Sequence, residues 1–190
     1  MRQLLIAFLL IFGLSVNAFA NDAFANDEAM AVTPPQQTFD LVQTQPDQML
    51  FVDVRGPIEI MFIGFTDVAQ ANIPFLLADR SRFLDDKQRF AMDKNPQFAA
   101  QIEAALKAKG LNKDALIITM CRSGSSRGKP SAEYLLSQGF TNVKYIDHGF
   151  QGSSAKEGKK AGMRIVNGWQ NDGLPWSMEI NPEKIYRPGQ

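Results

Sequence analysis

The chain has 190 residues, of which 45% are hydrophobic and 21% charged, enough to fill one good core and hardly two. Its 20 basic and 20 acidic residues cancel, which excludes an overall field that would steer nucleic acid or an anionic membrane; any attraction for anions has to be local. One cysteine and one histidine leave no credible zinc site.

Residues 1–20 differ sharply from the rest. Arg2 precedes an apolar run from Leu4 to Val16, and Ala18, Phe19 and Ala20 supply the small-x-small pattern of a signal-peptidase site. A run of about 13 residues is short of the roughly 20 that span a bilayer, so the segment reads as a secretory signal peptide with no membrane span left after its removal. Ala23, Phe24 and Ala25 offer a second site, so the mature chain starts at Asn21 or Asn26. Export implies an oxidising compartment, most simply a bacterial periplasm, where cysteines usually come in pairs. The single Cys121 therefore points to a reactive thiol or an intermolecular bond. Residues 21–37, small and polar with Pro34 and Pro35, read as a flexible leader.

Thr38 is placed to cap a short helix through Val42, and Pro46 with Asp47 makes a turn. Met49 to Val54 is the first convincing strand and ends in DVRGPIE. Asp53 and Arg55 stand where open α/β sheets bind ligands, although a solvated pair at a strand end is the simpler reading. Phe62, Phe65 and Phe75 form either an apolar rim or, more simply, buried core. Residues 78–92 alternate charges with Phe83, Leu84 and Phe90 and suggest a partly exposed helix or irregular crossover. Asn95 and Pro96 start the next helix, Gly110 stops it, and Phe98, Ile102 and Leu106 give it an apolar stripe with Ala105 beside it.

Residues 115–140 organise the chain. Leu116, Ile117, Ile118 and Met120 form a buried parallel strand, and Lys129 to Gln138 a helix with Ala132, Leu135 and Leu136 on one face and Gly139 at its end. Between them CRSGSSR turns its backbone N–H groups into a nest at a helix N-terminus, a setting that favours an anion. Arg122 and Arg127, with Lys129 nearby, and the helix dipole favour the nucleophilic thiolate of Cys121 over an inert buried thiol.

Val143 to Ile146 makes another strand, followed by Asp147, His148, Gly149 and Phe150. His148 is either substrate-facing or structural. Strands and helices alternate throughout, which predicts an α/β fold with a parallel sheet covered by helices on both faces. AKEGKKAG reads as a solvated loop. Trp169 and Trp176 are placed to fasten the C-terminal segment over the sheet, and Ser177 to Gln190 to be loosely held.

CRSGSSR, the Ala/Leu helix after it and GFTNV resemble the active-site loop, helix and next strand of the rhodanese-like domains. Asp53, Arg55 and Glu59, the Asn72-Ile73-Pro74 segment and NGWQNDGLPW extend the likeness from Thr38 to Trp176. The resemblance implies a rhodanese-like domain at 38–178, a tail at 179–190, and no cofactor. It implies that Cys121 takes sulfur from thiosulfate or polysulfide as a persulfide and passes it to cyanide, a thiol or a partner protein. Arg122, Ser123, Gly124, Ser125, Ser126 and Arg127 would cradle the small anionic sulfur compound, with Asp53 and Arg55 supporting the loop or the substrate. Two departures stand out. Phe65 replaces the family's usual histidine, and Arg127 follows Cys121 by six positions where the common loop has five. The longer spacing is that of cell-cycle phosphatases and certain arsenate reductases of the same fold, for which Asp67 or Asp147 would be the general acid. Sulfur transfer, oxyanion chemistry, and a non-catalytic persulfide carrier or partner-binding module are thus the expectations.

Overall fold

The computed structural model describes residues 32–189; the segment expected to be a signal peptide and both expected cleavage motifs lie outside the described residues. Strands β1 (Val32–Thr33), β2 (Met49–Asp53) and β3 (Ala71–Asn72), with β6 (Leu116–Met120) and β7 (Val143–Ile146), form a parallel sheet in the order β1-β7-β6-β2-β3. Between β3 and β6 the chain inserts β4 (Leu76–Leu84) and β5 (Arg89–Lys94), a separate antiparallel pair. The helices are α1 (Pro35–Thr44), α2 (Pro57–Ile63), α3 (Phe98–Ala108) and α4 (Gly128–Ser137).

The pleat of β2 sorts its side chains onto two faces. Leu50 and Val52 join Ile117 in one core, completed by Phe98, Ile102 and Leu106 of α3 and Ala132 and Leu135 of α4. Met49 and Phe51 join Ile118 and Met120 in the other, under Val42 of α1, Ile60 of α2 and Trp169. The sheet is thus covered on both faces, and that is why its two central strands read as continuous apolar runs. Trp169 is fully buried on Phe51, with ring centroids 5.4 Å apart, and its Nε1–H donates to the Pro175 carbonyl at 2.9 Å. Among the described residues no helix is long and apolar enough to cross a membrane.

Three expectations need correction, and the choice left open for the phenylalanines is decided. The end of the leader is structured: β1 pairs with β7, and α1 starts at Pro35, with Thr38 buried in the helix where its hydroxyl bonds the Pro34 carbonyl. Residues 78–92 lie in the β4–β5 hairpin. No glycine marks its turn, which closes through Gln88 in the left-handed region, and Arg82 ties Asp79 to Asp93 across the pair. Of the three phenylalanines, Phe65 and Phe75 are core and Phe62 is exposed on α2. The tail is also held: Ser177 bridges to Phe65, Asn72 exchanges backbone and side-chain bonds with Lys184 and Tyr186, and Lys184 pairs with Asp67 at 3.0 Å.

Candidate active site at the ends of β2 and β6

Asp53 lies opposite Met120 in the sheet register, and the Val54 N–H bonds the Met120 carbonyl at 2.8 Å. Cys121 therefore leaves the sheet beside the DVR segment, at the carboxyl ends of two neighbouring parallel strands, the edge at which open α/β sheets carry their ligands. The loop after it turns at Gly124, with φ +79°, and enters α4 where the Lys129 N–H bonds the Gly124 carbonyl at 3.0 Å. Thr119 and Ser131 hydroxyls both donate to the Gly128 carbonyl, which pins the start of that helix.

Among the described residues, no backbone N–H from Arg122 to Gly128 donates to another protein group. Backbone donors in this number at a helix N-terminus suit an anion. The turn after β7 braces the loop from behind: Phe150 N–H donates to the Cys121 carbonyl and Gln151 N–H to the Arg122 carbonyl, both at 2.8 Å. Gly149 makes this approach possible, because a Cβ there would lie 2.3 Å from the Cys121 carbonyl oxygen.

Arg127 turns back over the loop to Glu59 of α2, its two terminal nitrogens meeting the two carboxylate oxygens at 2.5 and 3.0 Å. Burial works against the Arg127 charge, but the hydrogen bonds and charge of Glu59, with Cys121 and Asp53 adding, hold it above the usual arginine range. Arg122 is half-buried and donates to Gln151 at 2.8 Å. Burial, and then the like charge of Arg164, pull it below that range, with Arg127 and Arg55 contributing and Glu59 opposing. Ser123 and Ser125 hydroxyls share a hydrogen bond, and Ser125 and Ser126 are exposed at the loop tip.

Asp53 and Arg55 are not a solvated pair. Both are fully buried; two guanidinium nitrogens meet both Asp53 oxygens, at 2.6 to 3.1 Å, and one of them also bonds the Gly64 carbonyl. The guanidinium lies 3.9 Å over the Phe150 ring, and its remaining nitrogen has no protein partner. Phe150 is also the residue whose N–H holds the Cys121 carbonyl. His148 faces Asp147 at 3.2 Å, and Asp67 is held by Asn181 and Lys184.

Cys121 itself departs from the expectation of a reachable thiol. It has no exposed surface and belongs to the core under α4, with Sγ 3.5 Å from where a Cβ on Gly128 would be. The strand that delivers it is buried to its last residue, so the thiol lies beneath the loop rather than at its mouth.

The family model described as Rhodanese-like domain matches residues 40–156. The chain belongs to the rhodanese-like domain family. This rhodanese-like domain shares its fold with the crystal structure of Rv0390 from M. tuberculosis, with 23% identity over 79% of this chain and 99% of that one and a TM-score of 0.55. Two further solved structures are similar at lower scores. One is a rhodanese-related protein from Thermoplasma volcanium, at 19% identity, 78% and 98% coverage and TM-score 0.42. The other is a polysulfide-sulfur transferase from Wolinella succinogenes, at 20%, 80% and 82%, and 0.43. No curated protein matches the chain.

Two members of the rhodanese-like site carried no assigned role in the sequence reading. Glu59 matched a family position, but its pairing with a residue 68 positions away has no local signal. Arg164, just past the AKEGKKAG stretch, drew no reading from the sequence and is turned onto the Gly152 carbonyl, whose own N–H donates to the Arg122 carbonyl.

Proposed function

We propose that this rhodanese-like domain is a sulfurtransferase that works through a persulfide on Cys121. The observation that carries the reading is the run of uncommitted N–H groups from Arg122 to Gly128 immediately after the only cysteine, ending at an arginine that Glu59 keeps charged. The Cys121 thiolate attacks the outer sulfur of thiosulfate; the sulfur–sulfur bond of the donor breaks and its electron pair leaves with sulfite. A Cys121 persulfide anion remains, and total charge is conserved. A thiolate acceptor then attacks the terminal sulfur, forms its own persulfide and returns Cys121 to the thiolate. Loop amides, Arg122 and Arg127 stabilise the charge gathered at each step. No general base is required, since nucleophile and leaving group are both anionic. Taken with the signal-like first 20 residues, the reading places this activity in the periplasm.

The burial of Cys121 favours a second reading, a persulfide carrier or partner-binding module, because a sulfur without exposed surface is reached only when the loop moves. The Cys121-x5-Arg127 spacing suits oxyanion chemistry, but Asp67 is engaged by Lys184 and Asn181 and Asp147 faces His148, which leaves the leaving-group proton without a placed donor.

The test is intact mass after incubation with thiosulfate or polysulfide. Wild type should gain one sulfur and Cys121→Ser none. Turnover with cyanide or a thiol then separates enzyme from carrier. Wild type that takes up no sulfur, and whose Cys121 resists alkylation in the folded state, leaves only the partner-binding module. Protection from alkylation by phosphate or arsenate but not by thiosulfate would move the assignment to oxyanion chemistry.

A further inference from the structure

A groove of about 770 Å³ lies between α2, the β4–β5 hairpin and the segment around Tyr186. Its walls are largely apolar: Ile58 and Phe62 from α2, Leu76 and Met92 from the hairpin, then Tyr186 and Pro188. Ile58 and Phe62 stand four positions apart on the helix, so they share a side of it, and they are 67% and 73% exposed. Two large side chains left this open contribute little to the core. A cleft of this size lined by apolar groups, with a few polar ones among them, is the usual form of a small-molecule site. Its walls are held without a ligand: Gly64 N–H closes α2 on the Ile60 carbonyl at 2.8 Å, Tyr186 N–H donates to the Asn72 side chain at 3.1 Å, and Asn95 N–H at the foot of the hairpin donates to the Phe75 carbonyl at 2.9 Å. Little ordering is therefore left for a ligand to impose.

The charged groups of the groove do not cancel. Glu59 lines it, but both of its oxygens are taken by Arg127. Arg82 is paired with Asp79 and Asp93, whereas Arg80, which lines the groove, has no carboxylate partner among the described residues. One positive charge thus stands uncompensated beside an apolar lining, which suits an amphiphile with a single negative charge. The hairpin register narrows the choice of apolar body. Ala78 lies opposite Met92, and Leu76 and Arg80 are two positions to either side of Ala78, so all four share one face. The groove therefore lies against a side-chain face of the hairpin rather than along the hydrogen-bonding edge of β4. A peptide backbone laid on that face would bring N–H and C=O groups that find no ladder partners, while an alkyl chain has none to satisfy.

We propose that the groove between α2 and the β4–β5 hairpin binds a single-chain carboxylate, with its alkyl body against Ile58, Phe62 and Met92 and its carboxylate on Arg80. The site shares Glu59 with the cysteine loop and is otherwise separate from it, so it stands whether or not Cys121 carries sulfur.

The test is calorimetric titration with decanoate below its micelle concentration. Decyltrimethylammonium, with a similar chain and the opposite charge, and acetate, with the charge alone, are titrated beside it. Decanoate should saturate a single site and bind about tenfold more tightly than the cation, and acetate should not bind. Phe62→Ser should weaken decanoate about tenfold without lowering Tm, because the ring is mostly exposed in the folded chain. Arg80→Gln should weaken decanoate about fivefold at low salt and remove most of the advantage over the cation, the effect shrinking as salt is raised. Lys156→Gln, an exposed charge outside the groove, should change nothing. No saturable binding of decanoate, equal affinity for the two amphiphiles, an affinity unmoved by Phe62→Ser or by Arg80→Gln, or an equal loss in Lys156→Gln would each overturn the assignment.

Discussion

Arg127, at the last position of the cysteine loop, and Glu59, on α2, meet through two parallel hydrogen bonds across 68 positions of sequence. The pair fixes the loop's exit: Arg127 is the residue from which α4 starts, and its charge is kept by the carboxylate it faces. Removing the acid leaves a mostly buried guanidinium without its counter-charge. Glu59→Ala should therefore lower unfolding free energy by about 2 kcal/mol, somewhat less than for a sealed pair, and reduce sulfur loading of Cys121 about tenfold. Urea unfolding and intact mass would check the two effects. Equal sulfur loading in wild type and variant would show that the clamp does not position the cradle.

The Asp53–Arg55 pair is sealed more completely, and its arginine also bonds the Gly64 carbonyl and covers Phe150. Asp53→Asn should cost about 3–5 kcal/mol, because it leaves a buried charge uncompensated. Replacing both residues, as Asp53→Asn with Arg55→Met, should cost less than the sum of the two single changes, since the stranded charge goes too. A double-mutant cycle by chemical denaturation measures the coupling, and additive losses would contradict a direct pair.

Gly149 and Gly139 both have positive φ, at +61° and +84°, yet only Gly149 is hemmed in. A Cβ there would overlap the Cys121 carbonyl and come within 2.8 Å of the Ser123 nitrogen, while a Cβ on Gly139 meets nothing within 4 Å. Gly139→Ala should cost about 1 kcal/mol, the left-handed backbone penalty alone. Gly149→Ala should cost several-fold more and abolish sulfur loading, because the loop must shift to make room. Thermal unfolding with intact mass on both variants separates backbone strain from displacement of the loop.

The strand, loop and helix around Cys121 were legible because their signals are local. Ile117 and Ile118 mark a strand buried on both faces, and Ala132, Leu135 and Gly139 give the helix its face and its stop. The stripe of Phe98, Ile102 and Leu106 read correctly for the same reason. What escaped was pairing at a distance. The β4–β5 hairpin has no glycine turn, and its cross-strand partners, such as Phe83 with Phe90, carry no helix-like or strand-like rhythm strong enough to separate the two. Asp53 and Arg55 read as surface charges because what closes over them, the Phe150 ring, lies far along the chain, and the Gly64 carbonyl is brought in only by the turn of α2. The thiol's burial follows from how deep β6 runs, which residue types alone do not record.

The held tail gives a pH-dependent prediction. Burial pushes the Asp67 carboxyl up, but hydrogen bonds from Asn181 and Lys184 and the Lys184 charge outweigh it and leave it below its ordinary value. A carboxyl lowered by folding stabilises the folded arrangement above the ordinary carboxylate range, and that contribution disappears as pH falls through the lowered value. Acid should therefore loosen the strap from Ser177 to Tyr186 before the sheet. The strap matters to the site: Asn72 accepts from Tyr186 N–H while its own amide donates to the Asp53 and Arg55 carbonyls at 2.8 Å. Hydrogen exchange should show faster exchange of the Asn72 N–H, which is held by the Lys184 carbonyl, as pH is lowered toward about 3, after correction for intrinsic rates. Asp67→Asn should exchange at that position quickly at neutral pH and lose the pH dependence. If the variant keeps the wild-type profile, the Lys184 contact is not what holds the tail against β3.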